Sequence, residues 1–167
     1  MSRTSTFLGA ALGATLCGLF SLAPLATAQN APPAHAEGVE GELSQLNQRV
    51  SPGVVAIQAR RGNNGLGSGI IISDDGMILT STSVVPNGTR TVSLTLKGGR
   101  KVKARELRRD SKLGAVLLKI TDPSDLTALT LGNSGTLRPG QLVATFGNPF
   151  GTISRDGLPA MSLGVVS

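Results

Sequence analysis

Between residues 54 and 120, six short runs of β-prone residues follow one another, each cut off by Gly, Asn or Asp, with no long helical pattern between them. That punctuation restricts the architecture more than any other feature of the chain. The runs are 54–59, 69–73, 77–81, 91–96, 101–107 and 115–120. Asp74-Asp75-Gly76 joins the second to the third, and Gly98-Gly99 joins the fourth to the fifth, both as hairpin turns. Six closely spaced strands of this kind predict an antiparallel sandwich or barrel. Two further runs, 141–146 and 160–166, follow a Pro- and Gly-containing connection at 122–140.

What precedes the strands is of a different character. Arg3 is followed by an apolar stretch over 7–25 and then by Ala26-Thr27-Ala28. This is the pattern of a secretory signal cut before Gln29, with an uncleaved membrane anchor as the alternative. Residues 29–42, rich in Pro, Ala, Gly and Glu, are expected to form a flexible linker. Leu43, Leu46 and Val50 share one helical face, so a short helix is expected over 43–52, ended by Pro52.

Cleavage after residue 28 removes Cys17, the only cysteine, and so leaves no disulfide, thiolate nucleophile or Cys-based metal site. Of the 16 basic residues only Arg3 is lost, which against 10 acidic residues leaves a net charge of about +5. Phe146 and Phe150 are then the only aromatic residues, too few for a base-stacking platform, so a nucleic-acid partner is not expected. Asp74 and Asp75 have no third ligand nearby, and neither a metal nor another cofactor is expected. Gly65, Gly67 and Gly69 lack the strand-then-helix context of a phosphate loop and are assigned to turn geometry and close strand packing.

Five blocks carry a specific resemblance: "VSPGVVAI" (50–57), "GLGSGIIISDDGMILTSTSVV" (65–85), "LKGGRKVKARELRRDSKLGAVLLKI" (96–120), "LGNSGTLRPGQLVATFGNPFG" (131–151) and "MSLGVVS" (161–167). In order and with little gapping they resemble the HtrA/Deg branch of the chymotrypsin-like, or trypsin-like, serine proteases. The resemblance implies an all-β fold: a first six-stranded barrel at 53–121, an interbarrel connection at 122–140, and the first two strands of a second, incomplete barrel at 141–167, with a short helix in front. It also implies a degenerate, C-terminally truncated member, and Phe150 as a plug between barrels.

The chemistry implied by the resemblance needs a hydroxyl nucleophile, an imidazole to take its proton and a carboxylate to orient the imidazole. The family's T-x-x-H-V-V segment corresponds to Thr80-Ser81-Thr82-Ser83-Val84-Val85, which puts Ser83 at the His position. Gly114 falls at the Asp position, while Asp110 matches an earlier, non-catalytic Asp assigned to a turn or surface ion pair. Ser134, in "GNSG", imitates the nucleophile motif, but it falls in the interbarrel connection; the family's nucleophile loop would follow residue 167. His35, the only histidine, lies in the expected linker. The chain is therefore expected to be an exported, periplasmic or secreted, protease homologue that is proteolytically inactive: a peptide- or surface-binding module or a decayed gene product. The alternative is a serine endopeptidase of the HtrA/Deg family acting in envelope protein quality control.

One further surface is legible. In Lys101-Val102-Lys103-Ala104-Arg105, basic and apolar residues alternate, so Lys101, Lys103 and Arg105 share a face and could meet an anionic envelope surface. Other expected partners are an unfolded peptide or another chain completing the second barrel, and self-association is expected from apolar edges left open.

Overall fold

The computed structural model describes residues 34–59, 66–149 and 151–167. The apolar run at 7–25, the expected cleavage site, Gly65 and Phe150 lie outside the described residues. Strands β1 (Val54–Gln58), β2 (Leu66–Ile71), β3 (Met77–Ser81), β4 (Thr91–Thr95), β5 (Lys101–Asp110) and β6 (Ala115–Ile120) form a closed barrel in the order β1-β2-β3-β6-β5-β4. Every pairing is antiparallel. The turns explain the connectivity. In the Asp-Gly hairpin Gly76 adopts φ +87°, its N–H donates to the Ser73 carbonyl, and Ile72 N–H donates to Met77 O across the strands. In the second hairpin both Gly98 and Gly99 have positive φ.

Alternation along the strands sends one side chain in two into the barrel. The interior is an aliphatic cluster that includes Val55, Ile57, Ile71, Ile78, Leu94, Val116, Leu118 and Ile120. It is so tightly filled that two β2 positions accept only glycine. A Cβ on Gly67 would sit 2.4 Å from Val84 Cγ2, and one on Gly69 would sit 2.7 Å from Ile78 Cγ2. Both glycines thus serve strand packing rather than phosphate binding.

A second, smaller cluster forms on the other face of β1. Val54 and Ala56 bury there with Ile153, and Val50, Leu129 and Phe146 pack around them. Ile153 belongs to a short helix, α2 (Thr152–Asp156), that interrupts the connection between β7 (Leu142–Gly147) and β8 (Ala160–Val165). Strands β7 and β8 pair antiparallel as a separate two-stranded sheet. The helix that leads into the barrel, α1 (Ala34–Val50), begins nine residues before the expected Leu43. Its added part, AHAEGVEGE, contains Ala and Glu, which favour helix enough to outweigh two glycines. Leu43, Leu46 and Val50 are its half-buried face, as their spacing predicts.

Asn148 fastens the β7–β8 segment to the barrel. It is 1 % exposed, its Oδ1 accepts the Ile153 N–H at 2.9 Å, and its own N–H donates to Ser68 Oγ at 2.6 Å. Truncating this side chain leaves the Ile153 N–H buried without an acceptor. Asn148→Ala is expected to lower unfolding free energy by about 1–3 kcal/mol, measured by urea denaturation; an unchanged midpoint would remove the fastening role.

Candidate active site

The barrel order puts β3 beside β6, with Ser81 opposite Ala115. The chain leaves β3 and enters β6 at the same rim, so the segments carrying positions 83 and 114 meet there. The Thr82 N–H donates to the Gly114 carbonyl at 2.9 Å and ties the two segments together. A turn follows at once: the N–H groups of Val84 and Val85 both donate to Ser81 O. Val85 is fully buried in the barrel interior, and Val84 packs beside it over Gly67. The turn is therefore fixed by its apolar end.

At its polar end the chemistry is that of alcohols. Ser81 Oγ and Ser83 Oγ lie 2.9 Å apart, and the Ser83 N–H donates to Ser81 Oγ at 3.2 Å. Both residues are exposed. Among the described residues Ser83 bonds to Ser81 alone. Gly114 adopts φ +68°, a left-handed conformation that glycine holds without a steric cost, and a Cβ there would have only Thr82 Oγ1 within 4 Å, at 3.9 Å. The rim thus has open space at position 114 and a hydroxyl at position 83.

Acidic groups at the two ends of the barrel, Asp110 at this rim and Asp75 at the opposite one, are engaged structurally. Asp110 Oδ1 accepts the N–H groups of Lys112 and Leu113 at 2.9 and 3.0 Å, which makes it the first residue of the β5–β6 turn. Asp75 accepts from Lys119 Nζ at 2.5 Å and from Ser73 Oγ. The Lys119 bond, with the Ser73 bond second, holds its carboxyl below the usual carboxylate range. Among the described residues no three His, Cys, Asp or Glu side chains are grouped to hold a metal.

Ser134 sits elsewhere, in a single exposed turn (Ser134–Thr136) between β6 and β7. Asn133 Oδ1 accepts the Gly135 N–H there, a local turn bond. His35 lies in the first turn of α1, and its side chain is outside the described residues. Lys101, Lys103 and Arg105 are all exposed on β5.

Sequence reasoning passed over Ile153 and the polar links beneath it. Thr80 Oγ1 donates to Ser68 O, Ser68 Oγ accepts from Asn148 N–H, and Asn148 Oδ1 accepts from Ile153. The available signal was the Asn in "GNPFG" followed by Thr152-Ile153: an amide-bearing residue placed to receive the first N–H groups of a helical turn.

Comparisons with known proteins agree with the fold. A family model described as a trypsin-like peptidase domain matches residues 67–167. Serine protease HTRA1A of Danio rerio is 36 % identical over 116 residues, covering 65 % of this chain and 24 % of the relative. A probable periplasmic serine endoprotease, DegP-like, of Halomonas elongata is 45 % identical over 86 residues, covering 52 % of this chain and 18 % of the relative. The crystal structure of the serine endoprotease from Yersinia pestis aligns with TM-score 0.62 and 27 % identity, over 82 % of this chain and 45 % of that one. The chain thus spans about a quarter or less of the length of these sequence relatives.

The joined backbones at 82 and 114 generate a test. In a Ser83→His variant, adding Gly114→Asp is expected to raise the pKa of the introduced imidazole by about one unit, because a carboxylate a few ångströms away favours the imidazolium. The left-handed backbone charges the aspartate about 1–2 kcal/mol of stability. NMR titration reads the first effect; identical imidazole pKa values in the single and double variants would show that the two positions do not face one another.

Proposed function

The chain belongs to the trypsin-like peptidase domain family, as a member of HtrA/Deg type, and from that premise we propose that it is an exported homologue of the serine endoproteases that is itself proteolytically silent. The observation that carries the reading is the pair of residues at the β3–β6 rim. Ser83 and Gly114 lie on segments joined by the Thr82–Gly114 hydrogen bond, and they are the positions where the resemblance expects the imidazole and its orienting carboxylate.

The chemistry follows from the functional groups. Attack on an amide by an alcohol requires that its proton be taken as the bond forms and later delivered to the leaving nitrogen. A serine hydroxyl at position 83 can share a hydrogen bond, as it does with Ser81, but it is too weak a base to hold that proton near neutral pH. Hydrogen at position 114 orients nothing. In serine proteases generally, loss of the base lowers turnover by on the order of 10⁶. Ser134 offers no substitute, because its turn is anchored by Asn133 and its hydroxyl bonds to no described residue.

What supports export is the Arg3, 7–25 and Ala26-Thr27-Ala28 pattern, together with relatives named as periplasmic endoproteases. No helix of the described residues is long and apolar enough to cross a membrane. The same reading includes a covering partner for the β7–β8 sheet. These strands pair only with each other among the described residues, and Leu142 (75 % exposed), Leu163 and Val165 face outward. A second copy of the chain would bury them.

Two measurements test the reading. Casein and fluorogenic peptides are expected to be hydrolysed no faster than in buffer; hydrolysis that disappears in a Ser134→Ala variant would establish an active endopeptidase instead. Sedimentation is expected to show concentration-dependent self-association, weakened by Leu142→Ser with Leu163→Ser, and a monodisperse monomer would refute the covering partner.

A further inference from the structure

We propose that the outer face of β5 docks on a bilayer rich in anionic phospholipid, with Leu107 entering the headgroup region. The proposal does not depend on the catalytic state of the chain. Lys101, Lys103 and Arg105 project outward at alternate positions, while Ala104 between them is fully buried and Val102 is half-buried. Two strand residues advance about 7 Å, so three cations stand in a straight row at that interval. Opposite them on β4 are Thr95, Ser93 and Thr91, which bring hydroxyls and no carboxylate.

Three of the nearby acids are taken, and Asp122, beside Thr121 whose N–H donates to Lys103 O, forms no ion pair among the described residues. Glu106 is bound by Arg109 at 2.6 Å, Asp75 by Lys119, and Asp110 by its own turn. Among the described residues none of the three cations forms an ion pair. Their charge is therefore directed to solvent.

The row ends in an irregularity that adds an apolar tip. Register passes from Glu106 opposite Leu118 to Arg108 opposite Leu117, so Leu107 is an extra residue with no partner on β6. A β-bulge re-aims the side chain it carries, and Leu107 is 48 % exposed. Arg90, Arg105 and Arg108 border the same shallow depression as Leu107. Three guanidinium groups around one leucine suit a plane in which phosphates lie above acyl chains.

Other partners fit this face less well. β5 is paired with β4 over 101–105 and with β6 over 104–110, so neither of its edges is open along its full length to a peptide strand. Its outer residues include no aromatic ring on which a base could stack. A bilayer needs neither an edge nor a ring.

The test uses the full chain and compares vesicles of phosphatidylglycerol with phosphatidylcholine against vesicles of phosphatidylcholine alone. Each cation near an anionic surface contributes about fivefold in partitioning, so Lys101→Ala, Lys103→Ala and Arg105→Ala together are expected to lose about 100-fold on the anionic vesicles. Wild-type binding should fall with added salt, and Leu107→Ser should lower the part that salt leaves. Circular dichroism checks that these exposed substitutions keep the fold. The apolar segment at 7–25 is common to all variants, so lysine acylation read by mass spectrometry separates its contribution. Vesicles should protect Lys101 and Lys103 while the exposed Lys112, in the β5–β6 turn, stays reactive. Equal binding to both vesicle types, no loss in the triple variant, or Lys101 and Lys103 left fully reactive would each overturn the proposal. Binding to soluble polyglutamate with none to anionic vesicles would overturn it in favour of an acidic polypeptide.

Discussion

Closure of the barrel between β1 and β4 is the constraint on which the other features rest. Ala56, Ile57 and Gln58 pair with Thr95, Leu94 and Ser93, and that seam gives every one of the six strands two neighbours. A sheet of six strands left open would expose two rows of backbone donors and acceptors. Closed, it has no free edge strand and encloses a continuous aliphatic interior. Within that ring β6 pairs with β3 on one side and with β5 on the other. The rim at positions 83 and 114, and the cationic face of β5 held between two strands, both follow from these pairings.

The β7–β8 sheet lives under the opposite condition. It has two strands, little interior of its own, and outward-facing Leu142, Leu163 and Val165. A two-stranded ribbon is marginal by itself in water. Here it borrows order from the barrel through Ile153, which fills the small cluster on the outer side of β1, and through Asn148, which bonds to Ser68 and caps Ile153. The polar link is not fully satisfied: Asn148 Nδ2 is buried without a hydrogen-bond partner among the described residues. The junction thus combines apolar burial, which is not directional, with one amide whose acceptor side does the orienting.

The barrel was legible because its turns are written in residues with a single physical use. Asp-Gly and Gly-Gly mark positions where the backbone must turn with positive φ, and between them alternation identifies the interior face. Less legible were features set by packing at a distance. The end of β5 was expected at residue 107 and lies at Asp110, because a bulge lets the strand continue past the point where alternation fails. Helix α2 has five residues, too few for a helical period, and its buried Ile153 is recognisable only once β1 stands opposite. The earlier start of α1 reflects a weak preference: Ala and Glu favour helix by tenths of a kcal/mol each, and the same residues are common in linkers. Where the resemblance put Ser83 and Gly114, the fold brings their segments together, a proximity that no local pattern in the sequence encodes.

The shape of the rim does not depend on the side chains at positions 83 and 114. The turn after β3 is held by Val84 and Val85 on its apolar side, and by backbone bonds to Ser81 O and Gly114 O on its polar side. None of these uses the side chain at position 83, which is exposed and bonds only to Ser81. At position 114 a side chain is a steric burden, because the backbone is left-handed there, and glycine relieves it. Selection for folding therefore does not require imidazole at 83 or carboxylate at 114. Only proton transfer would require them; for the barrel itself the hydroxyl at 83 leaves the backbone bonds of the rim in place, and glycine at 114 suits its left-handed backbone.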